Sequence, residues 1–235
     1  LIINMNKNLI IIGTGSTAKI VSLFVERYKL FNLLGFAVNE SYINERTFCG
    51  KPVYAIENLD DIIDKENDFL FVAILWNRLN ADRKKVYLTL KQAGYKFANL
   101  IAPNAIVKGD LVGDNSWISD LVFIDVCSTI GANCFIKSSA IISDNCVISD
   151  HCFIAAKSLV AGGCKVGEQS FIGLNATLFD DTVVGKKCIV GACTAVKRNL
   201  PDYSKITTSL DSFNIKQYTE EEIEFKLISE LNVRK

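Results

Sequence analysis

A period of six residues runs through the second half of the chain and constrains its fold more than any other feature. Every sixth position from residue 106 to residue 196 is Ile, Val or Leu. These positions are Ile106, Val112, Ile118, Ile124, Ile130, Ile136, Ile142, Ile148, Ile154, Val160, Val166, Ile172, Leu178, Val184, Val190 and Val196. Six residues are too few for a helical repeat. They fit a parallel β-helix in which three short strands make one coil.

Small residues and glycines recur at fixed places around each aliphatic position. The residue two places earlier is usually small, as at Ser116, Ser128, Cys134, Ala140, Cys146, Cys152, Ser158, Cys164, Ser170, Ala176, Thr182, Cys188 and Thr194. Because strand side chains alternate between two sides, both residues point inward. Glycine follows at Gly113, Gly131, Gly167, Gly173, Gly185 and Gly191, where we expect it to relieve the bend after each strand. Five of the eight cysteines hold the small position, which favours apolar filler over metal ligands or a disulfide.

The charge balance excludes nucleic acid as the main partner. The chain has 26 basic and 26 acidic side chains, whereas duplex binding needs clustered Lys and Arg. Hydrophobic residues make up 49%, yet no apolar run reaches the roughly 18 to 20 residues that span a bilayer. We therefore expect this apolar surface to be buried inside the fold or between subunits, with no membrane partner.

Before the repeat, the pattern alternates between strands and helices. Apolar runs predict four strands, at Leu9–Ile12, Leu34–Val38, Phe69–Leu75 and near Tyr95–Leu100. Helical spacing is found over 20–28 and 84–93, with an acidic helical stretch near 60–64. Such βαβ alternation predicts a small α/β, Rossmann-like sheet over residues 1–100.

A glycine turn joins the first strand to the first helix. It reads Gly13-Thr14-Gly15-Ser16-Thr17-Ala18-Lys19. Such a turn lets backbone amides approach a phosphate at the helix N-terminus, although a tight turn without a ligand is the alternative. The second strand ends at Asn39-Glu40, where dinucleotide-binding folds place an acidic residue. The roughly 60 residues left before the repeat are too few for a full NAD fold.

A Rossmann-like domain followed by hexapeptide repeats resembles the sialic-acid O-acetyltransferase-like (NeuD-type) group over residues 9 to about 204. That group includes acetyl-CoA-dependent N-acetyltransferases of nucleotide-linked amino sugars. The resemblance implies a left-handed β-helix over 101–206, followed by a tail over 207–235. It also implies a homotrimer that holds acetyl-CoA in the clefts between neighbours. We expect no metal, because the inward cysteines fit apolar filler.

The resemblance also implies which residues bind the nucleotide sugar and the coenzyme. The phosphate turn corresponds to Gly13, Gly15, Ser16, Thr17 and Lys19, and the base or ribose contact to Asn39 and Glu40. The coenzyme residues correspond to Phe153, Gly173, Leu174, Gly191 and Ala192, with Lys186, Lys197 and Arg198 for its phosphates. The family's usual Gly-Asn-Pro-Ala ending is replaced by residues 207–216.

The catalytic positions depart from the family pattern. Asp144 stands where the family has the histidine proposed as general base, Lys137 replaces an asparagine, and Phe153 replaces a second histidine. Gly162 is retained, and its amide is implied to bind the oxygen of the thioester carbonyl. His151 is the only histidine, and we expect it at a solvated corner.

An aspartate is a weak base, so this pattern favours acetylation of an amine over that of a hydroxyl. The predicted reaction is N-acetylation of a UDP- or dTDP-linked deoxy amino sugar for surface glycans, in which Asp144 orients the amine or receives its proton. Positioning alone can contribute ~7 to 11 kcal/mol to such a reaction. The alternatives are a sugar O-acyltransferase and a non-catalytic trimer that binds a nucleotide sugar.

The two ends of the chain carry weaker signals. Residues 220–231 show helical spacing, and we expect this helix to cap the last coil. The start shows no signal peptide, and Met5 is the only methionine, where we expect the natural start. Eight cysteines without CxxC pairs then suggest reduced thiols in the cytoplasm.

Overall fold

The computed structural model describes residues 7–208, which form an α/β part packed against a long stack of short strands. The helix predicted over 220–231 lies outside the described residues, as does most of 207–216. Within residues 7–208, no helix has the length and apolar character needed to cross a membrane.

The α/β part contains a five-stranded sheet and two helices. The strands are β1 (Asn8–Ile12), β2 (Asn32–Val38), β3 (Thr47–Phe48), β4 (Lys51–Ala55) and β5 (Phe69–Val72), and the helices are α1 (Ser16–Tyr28) and α2 (Ala81–Gln92). The sheet order is β3-β4-β2-β1-β5, and only β3 runs antiparallel to its neighbour. Strand β1 is a continuous aliphatic run because both of its faces are buried. This arrangement is loosely consistent with the predicted Rossmann-like domain.

Two local predictions in this part differ from the structure, and one hairpin was missed. The strand predicted near Tyr95–Leu100 is wrong, since Phe97 forms only an isolated bridge to Leu70. Leu100 instead begins β6 (Leu100–Ile101), which pairs with the stack. The acidic stretch forms a 3₁₀ helix at Ile56–Asp61. The hairpin of β3 and β4 was not predicted, because its first strand has only two residues and carries no periodicity.

The repeat region forms three parallel sheets, which we name by their outward residues. The aromatic face contains β6, β9 (Trp117–Ile118), β12 (Phe135–Ile136), β15 (Phe153–Ile154), β18 (Phe171–Ile172), β21 (Ile189–Val190) and β23 (Lys205–Ile206). The aliphatic face contains β7 (Ile106–Val107), β10 (Phe123–Ile124), β13 (Ile141–Ile142), β16 (Leu159–Val160), β19 (Thr177–Leu178) and β22 (Ala195–Val196). The third face contains β8 (Asp110–Leu111), β11 (Thr129–Ile130), β14 (Val147–Ile148), β17 (Lys165–Val166) and β20 (Val183–Val184).

Consecutive strands of one face are eighteen residues apart through most of the stack, as in the pairing of Phe135 with Phe153. This regular stack of parallel sheets fits the expected left-handed β-helix. The inward aliphatic residues from Ile118 to Val196 are all buried, which confirms the predicted core. The five cysteines at the small inward position are buried free thiols.

The first coil breaks the predicted register. Ile106 and Val112 were expected inside but are 55% and 71% exposed. Their neighbours Val107 and Leu111 pair with the inward Ile124 and Ile130 instead. A slip of one residue turns every side chain of a strand to the other face, so the period alone placed this coil wrongly.

The expected role of the recurring glycines also needs correction. The left-handed backbone conformation falls two residues later, at corner residues such as Asn133, Gln169 and Asn175. The glycines are needed because consecutive coils approach closely. A Cβ added at Gly167 would lie 2.5 Å from the carbonyl carbon of Gly185.

The α/β part packs on the aromatic face. Phe24 meets Trp117 edge-on, and Phe71 stacks on Phe135. One hydrophobic core therefore continues from the α/β sheet into the β-helix. This contact holds α1 and α2 in fixed positions beside the coils.

Candidate functional site

A cleft of about 630 Å³ lies at the carboxyl ends of the parallel strands. Gly13 and Thr14 line it from the glycine turn, Asn39 from the end of β2, and Asp82 and Lys85 from α2. The sequence predicted the first two elements. It did not indicate α2, because the two charged residues fit any solvated helix face.

The first turn of α1 can accept an anion. Gly13 adopts a φ of +121°, and its amide donates to the carbonyl of Ala37. Gly15 caps the helix without a side-chain hydrogen bond, and the first turn holds no acidic residue. Ser16 and Lys19 are exposed beside these amides, whereas Thr17 is buried. Free amides and an exposed lysine at a helix N-terminus suit a phosphate group.

Asn39 and Glu40 follow β2, and both are exposed. Glu57 forms hydrogen bonds with both residues. The two carboxylate oxygens of Glu57 accept from Asn39 Nδ2 at 3.1 Å and from the Glu40 amide at 3.0 Å. Hydrogen bonds from its own amide, from Asn39 and from Glu40 hold the pKa of Glu57 below its ordinary value. Sequence reasoning missed Glu57, which belongs to no recognisable motif.

The predicted catalytic and coenzyme residues lie on different edges of the prism. The first edge joins the aromatic and aliphatic faces and carries Lys137, Gly173, Leu174, Gly191 and Ala192. The second edge joins the aliphatic and third faces and carries Asp144, Gly162, Lys197 and Arg198. The third edge joins the third and aromatic faces and carries Lys186 and His151. Within one chain the structure therefore does not bring Lys137 and Asp144 to the same edge.

The Gly162 amide on the second edge faces outward between two carboxylates. It donates to Asp180 Oδ1 at 3.0 Å, and Asp144 lies on the coil before it. A Cβ at Gly162 would meet Asp144 Oδ1 at 3.3 Å and Asp180 Oδ1 at 3.5 Å. Sequence reasoning missed Asp180, which occupies the position that the thioester oxygen was expected to take.

Lys137 on the first edge faces a concavity of about 770 Å³ between α1 and the first coils. Its Nζ lies over the Trp117 ring, 3.0 Å from the centroid. Burial lowers the pKa of Lys137 to about 7, and the Asp120 carboxylate opposes this shift. Asp120 also accepts hydrogen bonds from Tyr28 and Asn104.

Two predicted coenzyme residues lie away from the others. Phe153 is buried under the α/β part between Phe171 and the edge of Trp76, so its ring packs as core. Lys186 is exposed on the third edge, and its amide donates to Asp202. In contrast, Leu174 on the first edge is 57% exposed.

His151 is buried, so its expected place at a solvated corner is wrong. Its Nδ1 pairs with Asn133 Nδ2 at 2.9 Å, and its ring meets Tyr87 edge-on. Burial lowers its pKa to about 4; nearby Lys84 also lowers it, while Asp150 raises it. The corner is covered because α2 packs against this edge, a contact that the repeat does not reveal.

This buried histidine should make stability depend on pH. Below about pH 6.5 the unfolded chain binds a proton that the folded chain takes up only near pH 4. The free energy of unfolding should therefore fall as pH falls from about 6.5 to 4, by up to ~1.4 kcal/mol per unit. Urea unfolding across this range measures the slope. His151→Asn should flatten it, and equal slopes in both proteins would contradict the assignment.

The folded chain resembles solved structures along most of its length. The acetyltransferase domain of PglB from Neisseria gonorrhoeae FA1090 is 21% identical, with a TM-score of 0.77 and coverage of 87% of this chain and 98% of that chain. That domain has also been solved with acetyl coenzyme A. WeeI from Acinetobacter baumannii AYE is 18% identical, with a TM-score of 0.72 and coverage of 87% and 98%. At these identities the likeness shows the fold alone.

A third neighbour is more similar in sequence. It is a mutant of perosamine N-acetyltransferase from Caulobacter crescentus, solved with CoA and GDP-perosamine. It is 28% identical, with a TM-score of 0.76 and coverage of 90% of this chain and 97% of that chain. No protein-family model matches the sequence, and no curated protein matches it. By its structural likeness the chain is an acyltransferase, since its neighbours include an acetyltransferase domain and a perosamine N-acetyltransferase.

Proposed function

We propose that the protein transfers the acetyl group of acetyl-CoA to the amino group of a nucleotide-linked sugar. The observation that carries this proposal is the match over 90% of the chain to a perosamine N-acetyltransferase that holds CoA and GDP-perosamine. The chain's own geometry supports it with a cleft for the nucleotide and an edge for the coenzyme. The choice of a UDP- or dTDP-linked deoxy amino sugar stays a prediction, as does the closer relation to the NeuD-type group.

The nucleotide is proposed to bind in the cleft of the α/β part. The amides of Gly15 and Ser16, with the Lys19 ammonium, would bind the diphosphate. Asn39 would contact the base or ribose, and Glu57 holds its amide in place. The cleft of about 630 Å³ has room for such a group.

The coenzyme is proposed to run along the first edge. Gly173 and Gly191 follow one another there at a spacing of one coil, and Leu174 offers an exposed apolar surface. Lys197 and Arg198 on the second edge are exposed cations for the coenzyme phosphates. Within one chain, these two edges lie on opposite sides of the aliphatic face.

A trimer would bring these two edges together. The aliphatic face lies between them, and its outward residues Phe123, Ile141 and Leu159 are all partly exposed. Burial of this apolar strip would stabilise contact with another copy. In a ring, the first edge of one copy meets the second edge of the next. We therefore propose a homotrimer whose grooves combine Lys137 of one copy with Asp144 and Gly162 of its neighbour.

In such a groove Asp144 would orient the acceptor amine beside the Gly162 amide. The Asp180 carboxylate must then leave that amide before the thioester oxygen can accept from it. A single oxyanion donor contributes ~3 to 4 kcal/mol to transition-state stabilisation. The absence of a histidine from this edge favours an amine acceptor over a hydroxyl acceptor.

Thiol release from acetyl-CoA tests the proposed function. We expect release with a nucleotide-linked amino sugar among UDP-, dTDP- and GDP-linked substrates, and none with the matching hydroxyl sugars. Mass spectrometry of the product should show one added acetyl group on nitrogen. No release with any amino sugar, together with no binding of acetyl-CoA by calorimetry, would instead support a non-catalytic sugar-binding trimer.

A further inference from the structure

We propose that Lys137 is the general base of the reaction, an inference that rests on the proposed function. Its neutral amine would accept the proton from the sugar amine as that amine attacks the thioester.

The surroundings of Lys137 favour a neutral amine. Among residues 7–208, no carboxylate oxygen lies within 4.0 Å of its Nζ. The charged and titratable groups that line its concavity are Glu26, Arg27, Tyr28 and Asp120. Arg27 and Glu26 are exposed on α1 and carry opposite charges. The Asp120 carboxylate accepts a hydrogen bond from Tyr28.

Burial lowers the pKa of Lys137 to about 7, although the Trp117 ring beneath its Nζ and the Asp120 carboxylate both favour the charged form. A lysine that loses hydration in this way supplies a useful fraction of free amine near neutral pH. The concavity remains open to solvent on its other side, so a substrate amine can reach the nitrogen.

The position of Lys137 suits the proposed substrates. Ile20 lines the same concavity and lies one turn, or ~6 Å, beyond Ser16 at the start of α1. Trp117, which Lys137 covers, meets Phe24 two turns (~12 Å) beyond Ser16, so a sugar attached to a diphosphate at that helix end would have to extend along α1 to reach Lys137. Gly173 and Gly191 lie two and three coils along the first edge, at ~10 and ~14 Å. An extended coenzyme arm on this edge would end beside Lys137.

The other candidate bases fit less well. His151 is buried on the third edge, with Nδ1 engaged by Asn133. Asp144 is exposed on the second edge, so it reaches the groove only from a neighbouring copy. Of these three candidates, only Lys137 combines a titratable nitrogen, an open concavity and the edge proposed for the coenzyme.

The proposed step is a nucleophilic acyl substitution. The sugar nitrogen forms a bond to the acetyl carbon, and the C–S bond breaks. The amine of Lys137 takes the proton that the nitrogen loses, and the resulting ammonium returns a proton to the departing thiolate. The products are an N-acetyl sugar and free CoA thiol, with Lys137 neutral again.

The test compares Lys137→Met and Lys137→Arg with the wild-type protein. Both variants should lower kcat by about 10²- to 10³-fold, because neither side chain can accept a proton at neutral pH. KM should change by less than about 3-fold, and the rise of activity near pH 7 should disappear. Lys65→Met is the matched control, since Lys65 also lies over an aromatic ring, that of Tyr95, but is paired with Asp60 and lies away from the concavity. A kcat within about 3-fold of wild type in Lys137→Met would overturn the proposal.

A second readout does not depend on activity. Reductive ¹³C-methylation labels the lysine amines for NMR, and the signal absent from Lys137→Arg belongs to Lys137. This signal should titrate near pH 7, and titration above about pH 9.5 would overturn the proposal. If no amino sugar is acetylated, the proposed function fails whatever this titration shows. If acetylation is found and Lys137→Met keeps its rate, only the role of Lys137 fails.

Discussion

Replacement of Arg83 by Ala should lower the free energy of unfolding by about 3 to 5 kcal/mol. Arg83 is fully buried, and its guanidinium lies 4.0 Å over the Phe135 ring. Its Nε donates to Asn133 Oδ1, and its Nη2 donates to the carbonyls of Asn133 and Cys152. Loss of these donors would leave buried oxygens unpaired at the contact between α2 and the β-helix.

This arginine is bound by neutral acceptors. Within residues 7–208, no carboxylate forms an ion pair with it, and burial lowers its pKa to about 10. Its contribution therefore comes from hydrogen bonds and ring contact, which a smaller apolar side chain cannot replace. Asn133 Oδ1 also accepts a hydrogen bond from Asn115 Nδ2. Asn115 Oδ1 in turn accepts one from the Val72 amide of β5.

Urea unfolding of Arg83→Ala and of Arg78→Ala measures the effect. Arg78 is exposed and forms a surface pair with Asp82 at 3.4 Å, so its loss should cost less than about 0.5 kcal/mol. If both variants lose less than about 1 kcal/mol, the hydrogen bonds of Arg83 do not hold the two parts together.

Replacement of Gly167 by Ala should lower the free energy of unfolding by about 1 to 3 kcal/mol. The new Cβ would lie 2.5 Å from the carbonyl carbon and 2.7 Å from the oxygen of Gly185 on the next coil. These are backbone atoms of a stacked rung, so the coils would have to separate locally. Thermal unfolding should show a loss of several degrees.

Gly162→Ala is the matched control for this prediction. The three heavy atoms nearest to its Cβ would all belong to the carboxylate groups of Asp144 and Asp180, whose nearest oxygens lie at 3.3 and 3.5 Å. Exposed side chains can move by a few tenths of an ångström, so stability should change by less than about 0.5 kcal/mol. Equal losses in the two variants would contradict close coil approach as the reason for a glycine at position 167.

The β-helix core could be predicted almost entirely from the sequence. A strand buries alternate side chains, so the spacing alone predicts that residues such as Ile142 and Cys146 point inward. The same rule failed at Ile106 and Val112, where the first coil departs from the eighteen-residue spacing. A periodic pattern describes the contact of one coil with the next and contains no information where the spacing changes.

The candidate site could be predicted only in part. The glycine turn at Gly13 and the end of β2 at Asn39 are local features, and the structure places both in one cleft. Glu57, Asp180 and the buried setting of Lys137 depend on residues distant in sequence. No short motif carries such contacts, because each is formed when separate elements pack together.

The amino-acid sequence by itself determined that the second half of this protein is a stack of three-sided coils, since burial with a period of six requires such a stack. Only the tertiary structure decided which edge each polar residue occupies and which edge α2 covers. It thereby enclosed His151 and left Lys137 beside an open concavity. The physical reason is that hydration, and with it the pKa of a side chain, depends on every element packed around that side chain.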